Sequence, residues 1–175
     1  TLINEVLDLS RIESGRIELD LNVIAVGPLL QSCFKQIKPL AEQRGITIRV
    51  EPIDNCSVVA DSTRLKQVLL NLLSNAVKYN RDGGKIAVEC FSAGPDRLRI
   101  GVKDTGFGIS AESLPRLFKP FERLESGYQG IEGTGIGLAL AKKLVESMHG
   151  EIGVDSEPGE GSQFWFELPS AALHD

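Results

Sequence analysis

The run Leu98-Arg99-Ile100-Gly101-Val102-Lys103-Asp104, followed at once by Thr105-Gly106-Phe107-Gly108-Ile109, constrains this chain more than any other stretch. Leu98, Ile100 and Val102 alternate with Arg97, Arg99, Gly101 and Lys103, the pattern of a strand with one buried face. Asp104 falls in phase with the apolar set, so its carboxylate points inward, where it is costly unless hydrogen-bonded. Gly106 and Gly108 supply a backbone that can turn sharply and lie close to a flat partner. Two readings fit. An inward Asp walled by glycine could accept an exocyclic amine such as that of adenine, or Asp104 could simply form the turn that ends the strand.

A helix is expected from about Ser62 to Tyr79, entered through Asp61, Ser62 and Thr63, all good N-caps. Leu65, Val68, Leu69, Leu72, Leu73 and Ala76 form its core side. Asn71, Asn75 and Lys78 recur on the opposite face, with Gln67 one turn earlier. Asn costs a helix up to about 0.7 kcal/mol relative to Ala, so two stacked at i and i+4 need a reason. Their amide oxygens could ligate a hard cation such as Mg²⁺ beside phosphate oxygens, or the face could be merely solvated.

Gly133-Thr134-Gly135-Ile136-Gly137 opens a further helix, with Leu138, Ala141, Leu144 or Val145, and Met148 as its expected core face. A glycine-rich entry to a helix N-terminus is an anion site. It is not a dinucleotide fingerprint, because the third glycine comes one place early and no apolar strand precedes it. Nor is it a P-loop, since Gly-Lys-Ser/Thr is missing.

Around these stretches the chain reads in order. Leu2, Ile3, Val6, Leu7, Leu9 and Ile12 cover more than half of a first helix, as expected of one packed on two sides, and Gly15 stops it. Gly27-Pro28 opens a second helix with Leu30, Phe34, Ile37 and Ala41 buried, Pro39 kinking it and Gly45 closing it. Ile46, Ile48 and Val50 alternate as a strand, as do Ile86, Val88 and Cys90. Residues 151–156 and 162–169 form a last hairpin, with Phe164, Phe166 and Leu168 on one face and Trp165 on the other, where a helix or partner could cover it. The 175 residues suit one domain of about 150 residues plus a short extra element. A net charge of -5 without a dense basic run argues against nucleic acid. Cys33, Cys56 and Cys90 are odd in number and widely spaced, reading as reduced thiols of a cytoplasmic protein. No apolar run approaches the ~20 residues of a membrane span, so no direct membrane contact is expected. The chain opens at Thr1 in mid-pattern, as part of a longer protein would.

Four ordered boxes now stand together: Asn71-Leu72-Leu73-Ser74-Asn75-Ala76-Val77-Lys78-Tyr79, Asp104-Thr105-Gly106-Phe107-Gly108, Phe118-Lys119-Pro120-Phe121-Glu122-Arg123, and Gly133-Thr134-Gly135-Ile136-Gly137-Leu138. They resemble the ATP-binding catalytic domain of sensor histidine kinases, within the wider family of gyrase, the MutL repair protein and the ninety-kilodalton heat-shock chaperone. The resemblance runs from about Leu2 to Pro169. It implies an α+β fold, a two-layer α/β sandwich (the Bergerat ATP-binding fold) in which a mixed sheet packs on a layer of helices beside a short N-terminal helical remnant. Residues 1–15 would end a dimerisation hairpin, 16–25 would link it to the ATP-binding domain at 26–170, and 171–175 would be a tail. ATP would be the substrate and Mg²⁺ its companion ion. Asn75 would ligate the metal, with Asn71, Lys78 and Tyr79 near the phosphates. Asp104 would read adenine, flanked by Gly106, Gly108 and Ile109. Phe118 and Arg123 come from the third box, with Arg123 on the terminal phosphate and residues 119–132 as a lid. Gly133, Thr134, Gly135, Gly137 and Leu138 would border the phosphates, and Asn71, Lys78 and Arg123 would serve the chemistry.

Hydrolysing members of the family place a Glu four residues before the magnesium Asn as a general base. Here that position is Asn71, which cannot deprotonate water. The resemblance therefore implies phosphate transfer to a protein, with a Ser/Thr kinase or ATPase of the same fold, or a non-catalytic nucleotide sensor, as the alternatives. His149 and His174 both lack the context of a phosphoacceptor. The implied partners are a dimerisation and phosphoacceptor domain of the same protein, a response regulator, and a second copy in a full-length homodimer.

Overall fold

The computed structural model describes residues 2–53, 55–122 and 135–171. Periodicity sorts them into α1 (Leu2–Glu13), β1 (Asn22–Ala25), α2 (Val26–Gln43), β2 (Thr47–Val50), β3 (Ser57–Ala60), α3 (Ser62–Lys78), β4 (Lys85–Ser92), β5 (Arg97–Asp104), a 3-10 helix at Leu114–Arg116, α4 (Gly137–Ser147), β6 (Glu151–Glu157) and β7 (Gly161–Pro169). Five strands form one sheet in the order β2-β4-β5-β7-β6. Only the β2–β4 pair is parallel; the remaining pairs are antiparallel, so the sheet is mixed.

Side-chain alternation gives this sheet two unlike faces. On β5 and β7, Ile100, Val102, Phe166 and Leu168 are buried under the helices. α3 packs between α2 and α4, and its stripe of Leu65, Val68, Leu69, Leu72, Leu73, Ala76 and Val77 is sealed into the core. Each fully buried Leu or Phe contributes about 1.5–3 kcal/mol, so the layer contact holds the domain together. This is the two-layer α+β sandwich expected. The opposite face carries Trp165. There the Arg99 guanidinium stacks 3.8 Å from its ring centroid. Beneath the indole lies Gly153, where a Cβ would come within 2.3 Å of the ring.

Several local expectations shift. α2 begins at Val26, with Ala25 as its cap, so Pro28 sits inside the first turn instead of opening it. Its buried stripe includes Cys33, while Phe34 is half-buried. On α4 the expected Ala141, Leu144, Val145 and Met148 are buried, but Ala139 and Leu140 join them and Leu138 is only half-buried, because the helix lies between α3 and the sheet. Within the 16–25 stretch, Asn22–Ala25 pairs antiparallel with β3.

α1 lies against α4, and Asp8 ties it to α3 by accepting from Arg64 Nη1 (3.2 Å) and Gln67 Nε2 (3.4 Å). Leu9 is buried, yet Leu2, Ile3, Val6 and Leu7 stay exposed. The described residues therefore cover one side of this broad apolar face and leave the other open.

Candidate functional site

The site is built where β5 ends. Register places Asp104 between Ile86 of β4 and Ser162 of β7. Its side chain is buried, and one oxygen, Oδ1, accepts from the N–H of Gly106 (2.9 Å) and of Ser162 (3.3 Å). Among the described residues no buried side-chain oxygen lacks a partner, so Oδ2, which carries neither bond, opens on accessible space. Burial pushes the carboxyl up to about 6, against the opposing pull of those two N–H groups. An inward acceptor held by one oxygen and presented by the other suits a ligand amine.

The glycines after it are required by contact. A Cβ on Gly106 would come within 2.2 Å of the Tyr79 carbonyl oxygen. Gly108 has φ of +72°, and a Cβ there would meet the Glu157 carbonyl oxygen at 2.0 Å. Thus the loop is wedged between the end of α3 and the β6–β7 turn. Ile109 is buried, and its N–H donates to Ser156 Oγ (2.8 Å), which fixes the loop's exit.

Asp61 caps α3 by accepting from the Arg64 N–H (3.1 Å), and the helix carries the polar row upward from there. Asn71 and Asn75 are half-buried and Lys78 is exposed. Asn71 Nδ2 donates to the Gly137 carbonyl (3.0 Å), which brings the first box to the start of α4. Among the described residues the Asn75 amide and the Lys78 ammonium have no hydrogen-bond or ion-pair partner, so both remain available to a ligand. Tyr79 caps the helix, its N–H donating to Asn75 O and its own carbonyl accepting from the Phe107 N–H (3.4 Å). Gly135, with φ of +75°, accepts from the Phe121 N–H through its carbonyl (2.8 Å), joining the third and fourth boxes. Phe118 sits edge-on to Phe164 at 6.4 Å with Lys142 over its ring at 5.7 Å, a buttress at the rim of the core. Arg123, Gly133 and Thr134 lie outside the described residues, as does most of the expected lid.

Sequence reasoning missed Ser162, Ser156 and Asn80. Ser162 holds Asp104 through its backbone N–H, and no side-chain chemistry signals that. Ser156 serves through a hydroxyl reaching across the hairpin. Asn80, wholly buried directly after the first box, accepts from Thr105 Oγ1 (3.2 Å) and the Arg81 N–H (2.8 Å). Its place next to the Asn-rich box was the one available signal.

This arrangement has relatives. Residues 60–172 match the family described as histidine kinase-, DNA gyrase B-, and HSP90-like ATPase. The chain belongs to that family. It is 40% identical to the sensor histidine kinase GacS of Pseudomonas protegens over 95% of its own length, and it spans 19% of that protein. Among solved structures it superposes on full-length ShkA in complex with AMPPNP with a TM-score of 0.85 and 33% identity, covering 98% of this chain and 36% of that one. The nucleotide-free catalytic domain of histidine kinase ThkA matches with a TM-score of 0.73 and 27% identity, covering 86% of this chain and 96% of that one. Within the ATPase family, then, the chain is similar to the ATP-binding catalytic domains of sensor histidine kinases. Among the described residues no three His, Cys, Asp or Glu side chains converge as a metal cluster, and no helix is long and apolar enough to cross a membrane.

Proposed function

We propose that this chain is the ATP-binding catalytic domain of a two-component sensor kinase, passing the γ-phosphate of ATP to a histidine on a dimerisation hairpin for relay to a response-regulator aspartate. The observation that carries this reading is Asp104, pinned through Oδ1 and open through Oδ2, beside the end of α3, whose Asn75 and Lys78 side chains have no partner among the described residues. Asp104 Oδ2 accepts from the adenine amine, and the glycine backbone at Gly106 and Gly108 lies along the ring. Lys78, Tyr79 and the α4 start at Gly135, Gly137 and Leu138 border the phosphates, where free N–H groups favour anions. Asn75 would hold Mg²⁺, and the ion would supply neutralisation of the phosphate charge that phosphoryl transfer requires. The family resemblance assigns Arg123, Gly133 and Thr134, outside the described residues, to the phosphate side.

Asn71 supports transfer over hydrolysis. Its amide carries no base and is already engaged with Gly137. His149, which follows α4 in a left-handed conformation, and His174 both lack the family's phosphoacceptor context, and the acceptor is assigned to a separate hairpin. The open apolar side of α1 supports residues 1–15 as the end of such a hairpin, followed by a connection within 16–25 whose last four residues already pair with β3 of the catalytic unit, in a cytoplasmic homodimer.

Calorimetric titration with a non-hydrolysable ATP analogue, with and without Mg²⁺, tests the binding half. Phosphotransfer from labelled ATP to a supplied His-bearing hairpin tests the other. Saturable adenine-specific binding followed by acid-labile labelling of the hairpin is expected. Binding without any labelling would leave a nucleotide sensor.

A further inference from the structure

We infer that Arg44 is a positioning residue for nucleotide binding, holding the carbonyl end of α3 in the place from which it backs the Asp104–Gly108 loop. This rests on the nucleotide reading given above. The last carbonyls of a helix have no partner within it and need outside donors. Many helices solve this with a glycine just past the end. α3 instead runs into Tyr79, Asn80 and Arg81, and the donor comes from another helix. Arg44, the residue that caps α2, sends its guanidinium across: Nη1 donates to the carbonyls of Val77 and Lys78 (3.0 Å to the latter), and Nη2 to that of Asn80. Nε meets Asp82 at 2.9 Å. A cation at this end also complements the helix dipole.

From there contact leads directly to the site. Asn80 is wholly buried, and its side chain donates to the Lys85 carbonyl (3.1 Å) and accepts from Thr105 Oγ1. The Tyr79 carbonyl, between two carbonyls that Arg44 holds, accepts from the Phe107 N–H and stands where a Gly106 Cβ would be. Gly106 in turn donates to Asp104. A shift of the α3 end therefore presses on the glycine that sets the Asp104 carboxylate, and it moves Lys78 and Tyr79 as well. The Asp82 pair is a weak candidate for the same role, because the Asp82 side chain is 84% exposed. A lysine in place of Arg44 would bring charge but no fork to span three carbonyls.

Titration at 10 °C with Mg²⁺ and a non-hydrolysable ATP analogue tests this, on variants shown by circular dichroism to be folded. Arg44→Ala should bind at least tenfold more weakly and Arg44→Lys should fall between it and the parent. Asp82→Ala, and Ile37→Ala as a destabilised core control, should stay within twofold of the parent. In the nucleotide-free protein the amide resonances of Gly106 and Phe107 should shift in both Arg44 variants and not in Asp82→Ala. Parent-like affinity in Arg44→Ala, or in Arg44→Lys should the alanine variant not fold, would overturn the inference. So would an equal loss in Ile37→Ala, which would make the effect one of general stability. A parent that binds no nucleotide would instead sink the nucleotide reading, and unmoved Gly106 and Phe107 resonances would then refute the Arg44 link by themselves.

Discussion

Replacing Asp104 by Asn should stabilise the nucleotide-free protein at neutral pH while weakening its hold on adenine nucleotides. The carboxyl is 5% exposed, and burial raises its pKa from 3.8 to about 6. The folded protein therefore holds this proton more tightly than the unfolded chain does. The cost of keeping the group ionised is fully present above pH 6, shrinks as pH falls toward 3.8, and is gone below 3.8. A gap of about two pKa units at about 1.4 kcal/mol each amounts to roughly 3 kcal/mol. Asn has nearly the same shape, no charge to desolvate, and an Oδ1 that can still accept from Gly106 and Ser162. The variant should thus gain up to about 3 kcal/mol near pH 7.5, a Tm rise of up to roughly 6–12 °C for a chain of this size. Urea unfolding of both proteins from about pH 7.5 down to about pH 4 should show the gap closing, most of it below pH 6. A gap that ignores pH, or a variant less stable than the parent at pH 7.5, would refute the argument that the buried carboxylate is the costly group. Affinity should move the other way, falling by roughly 10- to 150-fold for loss of a charge-assisted bond of about 1.5–3 kcal/mol.

In the parent protein, nucleotide affinity should weaken as pH drops below 6, because a proton then competes with the adenine amine for the Asp104 carboxylate; a calorimetric pH series that stays flat would separate Asp104 from adenine. Asn75→Ala should bind the analogue with an affinity that Mg²⁺ no longer changes, and a persistent Mg²⁺ effect would assign the metal to other ligands. Gly108→Ala combines a left-handed backbone with a Cβ 2.0 Å from the Glu157 carbonyl, so it should cost about 1–3 kcal/mol and displace the loop, read as a lower Tm and lost binding. Phe166→Ala, at a wholly buried position in β7, should cost about 3–5 kcal/mol in urea unfolding without selectively affecting nucleotide affinity at low temperature.

What was legible in the sequence was what neighbours along the chain determine. The α3 stripe from Leu65 to Ala76, its cap at Asp61 and the alternation of β5 follow from periods of 3.6 and 2 and from local hydrogen bonding. The same phase placed Asp104 inward and set Asn71, Asn75 and Lys78 along one face, so the half of the site carried by single elements could be read directly.

Tertiary structure alone decided who meets whom. Burial patterns state that a face is covered, not by what. Hence Trp165 proved to be covered by Arg99, β1 emerged from a supposed connection by pairing with β3, and the α4 core face took in Ala139 and Leu140 in place of Leu138 beside the expected Ala141, Leu144, Val145 and Met148 once the helix was wedged between α3 and the sheet. The partners that shape the site are far apart in the chain: Asp104 with the Ser162 N–H, Asn71 with the Gly137 carbonyl, and Arg44 with the end of α3. Two of these three bonds accept at, and the other donates from, a backbone group that every residue type shares. Side-chain identity leaves no trace of such bonds, so only the folded chain could place them.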